Sequence, residues 1–228
     1  MLWRIRRVKI KQYLTILIVI TGLLGGTAAG LWLSGNSQFF STSNAEPLKN
    51  LANASRGAES PHTKGAENAL VTIEEFADFQ CPPCAGLHDE IKKLEEEYGS
   101  KLRVVHRHFP LDSHNNAIAA AQAAEAAALQ GKFWEMSDLL YKHQEEWSEM
   151  GNPRQAFVGY AKNLNLDQEK FLRDIDSPET KERIEADKAR GDSINVSATP
   201  TLFIDGIEAS SDSMTSEGIR DLINKAVR

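Results

Sequence analysis

The stretch FADFQCPPCAGLHDEI, from Phe76 to Ile91, decides the fold class and holds the only two cysteines of the chain, Cys81 and Cys84. The Cys-X-X-Cys spacing at the start of a helix brings the two sulfurs within bonding reach across one helical turn. The first cysteine then occupies the helix N-cap, where the helix dipole and the free backbone amides favour a thiolate. Because the thiolate is the species that attacks disulfides, this pair is a candidate redox centre.

Two prolines, Pro82 and Pro83, separate the cysteines. Pro82 suits the first helical position, where its missing amide costs nothing. Pro83 removes the next amide as well, so only the amide of Cys84 can support a Cys81 thiolate in the first turn. We therefore expect Cys81 to be activated, but less than it would be beside a cationic or donor-bearing dipeptide.

Two other interpretations of the cysteine pair have to be weighed. A structural zinc site needs four ligands, commonly Cys and His, and the chain has no second cysteine pair. His106 and His108, two apart on a predicted strand, are a weak metal signal. A purely structural disulfide would close so short a loop that it would remove little chain entropy. The residues therefore favour redox work over both alternatives.

Around the cysteines, hydrophobic periodicity predicts a β–α–β unit. Ala69–Ala77 (ALVTIEEFA) is predicted as a strand, Pro82–Tyr98 as a helix that Gly99 ends, and Leu102–Phe109 (LRVVHRHF) as a second strand. This order implies parallel strands with a right-handed crossover.

The remainder is predicted to be a block of helices followed by a hairpin and a last helix. Thr201–Ile204 and Ile207–Glu208 form the hairpin around the turn Asp205-Gly206. The predicted helices are Asn115–Leu129, Phe133–His143, Pro153–Lys162, Gln168–Asp174, Glu179–Ser193 and Ser216–Val227. The order βαβ, helices, ββα fits one α/β domain with an inserted helical subdomain better than two separate domains.

The N-terminal region predicts a membrane span. Residues 1–13 carry five basic residues and no acid, and residues 14–33 (LTILIVITGLLGGTAAGLWL) carry no charge. Twenty helical residues span about 30 Å, the thickness of a bilayer core. We expect an uncleaved anchor, with a removed signal sequence as the alternative. The charge bias places residues 1–13 in the cytoplasm, so the rest of the chain is exported as a single-pass protein, periplasmic or on the outer surface.

The exported part is acidic. Of the 26 basic residues, five precede residue 46, which leaves 21 against all 32 acidic residues. This balance argues against nucleic acid as a partner, because phosphate binding needs clustered positive charge. Residues 34–64 are small and polar and predict a flexible tether.

Taken together, these features resemble the thioredoxin fold and, within it, the DsbA-like thiol–disulfide oxidoreductases. The resemblance covers residues 65–228 and is carried by VTIEEFADFQCPPC, by VVHRHFPL followed by SHNNA, by KFWEM and by VSATPTLFIDG. A helical insertion at about residues 113–193 distinguishes DsbA-like proteins from plain thioredoxins.

The resemblance implies a role for each matching residue. Cys81 would be the exposed nucleophile that forms mixed disulfides, and Cys84 the buried partner that resolves them. Thr199-Pro200 would adopt a cis peptide beside the cysteines and leave the Thr199 backbone free to pair with a client chain. Glu75 would be the acid beneath the site that helps to move protons; since Glu74 is adjacent, only one of the two can face inward.

Further residues are expected around the client-binding surface. Phe79, Pro82 and Pro83 would shape it, and Phe133-Trp134 would either join it or pack in the core. His114 is expected to cap the first helix of the insertion.

The implied function is a membrane-tethered oxidase that donates its Cys81–Cys84 disulfide to exported proteins containing cysteine. A membrane-embedded, quinone-linked partner would reoxidise it. The alternative is a reductase or isomerase that uses the same site and receives electrons from a transmembrane carrier. A third class is a non-catalytic metal- or protein-binding module. The resemblance implies no cofactor beyond the cysteines, and we expect a monomer. The dimeric isomerases of this superfamily carry a separate N-terminal dimerisation domain, for which the tether leaves no room, and this favours the oxidase.

Overall fold

The structure is a computed structural model that describes residues 54–59 and 61–227. Their sheet has five strands: β1 (His62–Lys64), β2 (Val71–Ala77), β3 (Leu102–His108), β4 (Thr201–Ile204) and β5 (Ile207–Glu208). The α-helices are α1 (Pro82–Tyr98), α2 (Ala117–Ala128), α3 (Phe133–Lys142), α4 (Gln144–Trp147), α5 (Arg154–Asn163), α6 (Gln168–Asp174), α7 (Pro178–Ser193) and α8 (Ser216–Ala226). The predicted fold, a thioredoxin-like sheet with an inserted block of helices, is confirmed.

The order of strands in the sheet is β1-β3-β2-β4-β5. Strands β2 and β3 are parallel neighbours joined through α1, as the sequence predicts, and β4 lies antiparallel to β2. The β4–β5 hairpin turns at Asp205 and Gly206, both of which have positive φ (48° and 80°). Two successive residues at positive φ match the twist of the flanking strands, which explains why Asp-Gly occurs here.

One face of the sheet packs against α1 and α8. Alternate residues of each strand point to this face. Those toward the amino ends of β2 and β3 form an apolar core with the two helices. Its largest buried members include Ile73, Leu94, Leu202 and Ile219. Burial of each such side chain contributes about 1.5–3 kcal/mol, so this core fixes where α1 begins relative to the sheet.

The same face becomes polar toward the carboxyl ends of β2 and β3. His62, His106 and Glu75 lie side by side there, because His62 pairs with His106 across β1 and β3, and His106 pairs with Glu75 across β3 and β2. The cysteine-bearing end of α1 and the inserted helices cover this polar end.

The opposite face packs against α7. Phe76 and Phe203 meet Phe109 in a small aromatic core. Beside it, Glu74 bonds Arg107 Nε at 2.8 Å and Arg190 Nη2 at 2.7 Å. Glu74 and Glu75 therefore point to opposite faces, and Glu75 is the one that lies under the cysteines.

The inserted helices pack around α2, which is built almost entirely of alanine. Its small side chains are buried on several sides, and the space around them is filled by large ones: Phe133, Met136, Leu140, Trp147, Phe157 and Phe171. The short helix α4 was not predicted, since four residues are too few to show helical periodicity.

Residues 54–59 and 61–64 differ from the expected flexible tether. Strand β1 pairs antiparallel with β3, and Arg107 Nη1 donates to the Ala58 carbonyl at 3.2 Å. The expected domain boundary at residue 65 therefore lies inside the folded part. A three-residue polar edge strand leaves no hydrophobic signal in the sequence, which is why it was missed.

No helix among the described residues combines the length and the hydropathy needed to cross a membrane. The predicted span, residues 14–33, lies outside the described part of the chain.

Candidate active site

The cysteine pair lies where β2 leads into α1. Cys81 is the N-cap of α1 with extended backbone angles (φ −77°, ψ 118°), and Pro82 and Pro83 take the first two helical positions. The Cys84 amide bonds back to the Cys81 carbonyl at 3.0 Å. Both cysteines are free thiols. The predicted position of the pair is therefore confirmed.

The exposure of the two cysteines differs less than expected. Cys84 is fully buried, as predicted, but Cys81 exposes only 5% of its surface. The two prolines between them are exposed and form the rim of the site. A reacting sulfur therefore finds only a small part of the Cys81 surface open to it.

Gln144 anchors the segment that leads into the cysteines. Its side-chain Nε2, in α4, donates to the carbonyl oxygens of Phe79 at 2.7 Å and Cys81 at 3.0 Å. Gln80 adds a second tie, because its Oε1 accepts from the Asn116 amide at 2.7 Å and its Nε2 donates to the Ser148 carbonyl at 2.9 Å. The inserted helices thus hold the active-site segment in place.

Asp78 also holds the segment that leads into the cysteines, through its buried carboxylate. It is 2% exposed, and its two oxygens accept from the amides of Gln80 (2.7 Å) and Leu111 (2.9 Å). His114 Nδ1 lies 2.7 Å from the same carboxylate. The expectation that His114 caps the helix is therefore wrong: the cap position of α2 belongs to Asn116, and the His114 ring binds Asp78 instead.

The loop before β4 lies directly against Cys81. The Thr199-Pro200 peptide is cis, as predicted from the resemblance. The Cys81 thiol donates to the Thr199 carbonyl at a distance of 3.2 Å between sulfur and oxygen. The Thr199 hydroxyl has no partner within the described residues, which leaves it available to donate to a Cys81 thiolate.

The two thiols have very different acidities. A hydrogen bond from the Cys84 thiol, supported by the Thr199 hydroxyl, lowers the pKa of Cys81 from 9.0 to about 6, although burial opposes the shift. Burial raises the pKa of Cys84 far above 9.0, and the neighbouring Cys81 and Glu75 raise it further. Near neutral pH, Cys81 is therefore the thiolate and Cys84 the thiol, which is the division of roles that thiol–disulfide exchange requires.

Glu75 lies beneath the pair, on the neighbouring strand. It is 5% exposed, and its Oε1 has no hydrogen-bond partner within the described residues. Burial raises its pKa from 4.5 to about 8, with further contributions from Cys81 and Glu95. A carboxyl group that titrates near neutral pH beside a buried thiol is chemically able to exchange a proton with it.

The role expected for Phe79 at the client-binding surface is wrong. Its side chain is 1% exposed and packs against the rings of His106 (5.3 Å between centroids) and Tyr141 (5.0 Å). Phe79 is close to Cys81 in the sequence, but its side chain points into the core and not toward the surface. Phe133 is also buried, stacked on His62 at 3.5 Å, whereas Trp134 is half-buried beneath Lys64.

A groove adjoins the prolines and the cis peptide. It has a volume of about 610 Å³, and its lining includes apolar side chains of Pro83, Leu87, Pro200 and Met214. Pro83 belongs to the Cys-Pro-Pro-Cys segment and Pro200 to the cis peptide, so the groove adjoins both segments of the site.

A second cluster of potential ligands lies at the β1 edge. His62 Nε2 and His108 Nε2 each lie 2.8 Å from Glu125 Oε1, so the three side chains could hold a metal ion sterically. However, Arg183 Nε already donates to Glu125 Oε2 at 2.8 Å and balances its charge. The cluster therefore joins β1, β3, α2 and α7 as a buried ion-pair network.

Several residues of the site were not found from the sequence. Gln144 and Tyr141 reach it from positions that carry no motif, and the Gln144–Phe79 contact joins residues 65 apart. The sequence marks His106 only as half of the weak histidine pair with His108.

Comparisons with known proteins agree with this architecture. The family model described as Thioredoxin matches residues 58–225. The structure is similar to oxidised BdbD from Bacillus subtilis (TM-score 0.65, 20% identity, covering 76% of this chain and 98% of BdbD). It is also similar to alpha-DsbA1 from Wolbachia pipientis (TM-score 0.65, 20% identity, 74% and 92%).

The curated relatives in sequence carry another kind of name. The chain is 36% identical over 172 residues to a Na(+)/H(+) antiporter NhaA of Herminiimonas arsenicoxydans, covering 75% of this chain and 27% of the antiporter. It is 39% identical over 153 residues to an NhaA 1 antiporter of Mycolicibacterium gilvum, covering 65% and 24%. The chain thus spans about a quarter of the length of the curated relatives it matches.

Proposed function

The chain belongs to the thioredoxin family, and from this membership together with the geometry around Cys81 we propose that it is a thiol–disulfide oxidoreductase acting on exported proteins. The observation that carries the proposal is the pairing of Cys81, with its pKa lowered to about 6, with the fully buried Cys84 one helical turn away. The solved structures of similar fold include proteins titled as thiol–disulfide exchange or oxidoreductase proteins, which supports the same reaction class.

The reaction proceeds by two exchanges. A client thiolate attacks Cys81 Sγ of the oxidised pair, the Cys81–Cys84 bond breaks, and Cys84 leaves as a thiolate that takes up a proton. The second client thiolate then attacks the client sulfur of the mixed disulfide and releases Cys81 as a thiolate. The client loses two electrons, which the cysteine pair gains. Of the two protons that the client thiols give up, the balance leaves one on Cys84 and one in the solvent, because Cys81 stays a thiolate near neutral pH.

Residues around Cys81 divide the remaining work. The Thr199 backbone pairs with the extended client chain, and Pro82, Pro83 and Pro200 form the rim that the client touches. Glu75 gives its proton to Cys84 during client oxidation and takes it back when the pair is reoxidised. No cofactor beyond the cysteines enters this scheme.

We propose oxidation of clients as the direction of the reaction, with a membrane-embedded redox partner that removes the electrons. The low pKa of Cys81 supports this direction, because a stabilised thiolate favours the reduced form of the pair and makes the disulfide a better oxidant. The reductase or isomerase alternative uses the same residues in reverse.

We also propose that the domain works at a membrane surface, through the span predicted at residues 14–33. The curated relatives support a membrane-proximal setting, since the matched region occurs there within much longer chains named as antiporters.

Trapping of clients tests the reaction. Cys84→Ala should accumulate mixed disulfides through Cys81, visible as high-mass bands that a reductant removes. Cys81→Ala is the control and should accumulate none. A purified protein that neither reduces insulin nor oxidises a reduced substrate protein, and that traps no client as Cys84→Ala, would leave only the binding-module alternative.

The redox state of the pair in intact cells tests the direction. Alkylation of free thiols followed by a gel shift should find Cys81 and Cys84 mostly oxidised. A mostly reduced pair would instead favour the reductase or isomerase.

A further inference from the structure

A buried carboxylate lies next to the reactive cysteine, and the two exchange steps described above do not use it. Asp78 comes three residues before Cys81, and the Cys81 amide donates to the Asp78 carbonyl at 3.0 Å, which closes a turn between them. The Asp78 side chain is 0% exposed. Because a buried charge is costly unless it is paired and hydrogen-bonded, a carboxylate at this position calls for an explanation.

The turn keeps this carboxylate close to the Cys81 sulfur. Asp78 Oδ1 accepts from the amide of Gln80, the residue before Cys81, at 2.7 Å. With standard backbone dimensions, the carboxylate therefore lies no more than about 11 Å from Cys81 Sγ. At an effective dielectric constant of about 20, a full charge at that distance changes a thiol–thiolate equilibrium about tenfold.

The Asp78 charge acts against the reaction. A negative charge near a thiol disfavours the thiolate. The hydrogen bond from Cys84 lowers the pKa of Cys81 to about 6, whereas burial and the Asp78 charge act in the opposite direction. An uncompensated Asp78 carboxylate would therefore leave less of the Cys81 thiolate near neutral pH and slow its attack on disulfides.

His114 is placed to compensate this charge. Its Nδ1 lies 2.7 Å from Asp78 Oδ2, and the ring donates to it, since an ionised carboxylate can only accept. Among the ion pairs of the described residues, His114 is the only partner of Asp78. The His114 side chain is 23% exposed, so the ring is the part of the pair that solvent reaches.

We propose that His114 keeps Cys81 reactive by compensating the charge of Asp78, and that the Asp78–His114 pair thereby sets the oxidising strength of the cysteine pair. This inference rests on the proposed function and deepens it. His114 acts through Asp78 and not on the sulfurs, which makes it a positioning residue.

A purely structural role of the pair predicts a different result. The Asp78 carboxylate also accepts from the amides of Gln80 and Leu111, so loss of His114 would loosen both loops. Loosened loops lower the stability of the fold, but they do not move the acidity of Cys81 according to the sign of the charge at position 114. The charge at that position is therefore the variable to change.

Other titratable groups around Cys81 and Asp78 stay unchanged in such variants. They are Glu75 from β2, Cys84 from α1, Tyr141 from α3, and the exposed Asp112 and Glu149 in the two loops that bond to Asp78 and Gln80.

The alkylation rate of Cys81 against pH, measured with iodoacetamide on the reduced full-length protein, tests the pair. His114→Leu removes both the donor and the charge, and should raise the midpoint of this profile by about half a pH unit or more. His114→Lys keeps a positive charge beside Asp78, and its midpoint should equal that of the wild type or fall below it. Arg154→Leu is the matched control, since it breaks an ion pair of similar length with Asp176 (2.6 Å), between α5 and the end of α6, and should not move the midpoint.

Asp78→Asn should act in the opposite direction to His114→Leu. It removes the negative charge and should lower the midpoint by about one pH unit. Added to Asp78→Asn, His114→Leu should have no further effect, because no charge is left to compensate. If Asp78→Asn does not fold, the opposite responses of His114→Leu and His114→Lys still decide.

Equilibrium with glutathione extends the test to oxidising strength. A higher midpoint means a less stable reduced form, so His114→Leu should shift the equilibrium about threefold toward the protein disulfide at neutral pH. Client trapping by Cys84→Ala decides the proposed function independently, because the alkylation profile needs no client. A midpoint that does not rise in His114→Leu, or that rises equally in His114→Leu and His114→Lys, would overturn the inference.

Discussion

At the scale of single residues, the acidity of Cys81 is set by two side chains, one from its own motif and one from a distant loop. Cys81 owes its low pKa first to a hydrogen bond from Cys84 and then to Thr199, which is 118 residues away. The prolines between the cysteines remove backbone donors, so side chains take over their task. The pH at which Cys81 reacts should therefore depend on Cys84 more than on the helix itself.

Replacing Cys84 with alanine should raise the pKa of Cys81 from about 6 toward 9.0, because the largest cause of the shift is removed. The rate of alkylation of Cys81 by iodoacetamide, measured against pH in the reduced protein, reports this pKa directly. The exposed Ser210→Ala variant serves as a control and should leave the profile unchanged. An unchanged midpoint in Cys84→Ala would show that the helix N-terminus alone activates Cys81.

Glu75→Gln should remove a loss of folding stability that the wild type suffers as pH rises. The pKa of Glu75 is about 8 when folded and 4.5 when unfolded, so between these values the folded state binds the extra proton and stability falls as pH rises. The loss at the alkaline end is on the order of a few kcal/mol. We expect the melting temperature of the oxidised wild type to decline across this interval, and that of Glu75→Gln to decline much less.

The oxidised protein is the right form for this measurement. In the reduced form, the lowered pKa of Cys81 adds an opposite trend, since its thiolate stabilises the folded state as pH rises from about 6 to 9.0. The exposed Glu96→Gln variant is the control and should follow the wild type. Parallel curves for Glu75→Gln and wild type would contradict the assigned pKa.

At the scale of elements, close packing of α7 against the sheet fixes the cis-proline loop that follows it. Gly191, near the end of α7, has no room for a side chain: a Cβ there would lie 2.6 Å from the Phe109 ring and 3.1 Å from the Phe76 ring. The glycine therefore sets how near α7 comes to the sheet, and through that distance where Thr199 meets Cys81.

Gly191→Ala should destabilise the protein by about 1–3 kcal/mol through overpacking. Gly159→Ala is the matched control, because Gly159 is also a helical glycine but has nothing within 4 Å of the position that a Cβ would take. That control should instead stabilise the fold by about 0.5–1 kcal/mol through helix propensity. Urea unfolding midpoints measure both, and equal shifts in the two variants would contradict the packing argument.

The elements nearest the cysteines were predictable because their signals are local. The strand before Cys81, the helix that starts at Pro82, the Asp205-Gly206 hairpin and the insertion all follow from spacing within a few residues. Strand β1 and helix α4 were not predictable, since both are short and neither adjoins a turn motif such as the Asp205-Gly206 that marks the equally short β4 and β5. The contacts of Gln144, Tyr141 and His106 join distant parts of the chain, and no local pattern records them.

At the scale of the whole molecule, the sequence separates an apolar, basic-flanked N-terminal region from an acidic domain. The proposed function needs both, because the domain must meet exported clients on one side and a membrane-embedded redox partner on the other. The folded part begins earlier than the predicted boundary, since Ala58 and the residues of β1 already contact it.

The full-length chain should fractionate with membranes and resist extraction by an alkaline wash. Replacing Leu23 and Leu24 by arginine should abolish this association, because each arginine at the centre of a span costs about 2.5–3.5 kcal/mol. The matched change of Ser41 and Ser43 to arginine lies beyond the predicted span and should not. The mass of the mature protein distinguishes the two alternatives, because an anchor leaves the chain at full length and a cleaved signal shortens it. Wild-type protein of full length that the alkaline wash releases would contradict both the anchor and the cleaved signal.

Helix α2 should be among the segments of this protein that change most slowly in evolution, although its composition is the simplest. Seven of its alanines are at most 2% exposed, and large aromatic side chains of the neighbouring helices fill the space around them. A larger residue at any of these positions would push those rings apart, and glycine, the one smaller choice, would weaken the helix by about 1 kcal/mol. Neither a larger nor a smaller side chain is tolerated at these positions. The alanine-rich helix α2 should therefore accept fewer substitutions than the charged surface of α7, although its composition is the simpler of the two.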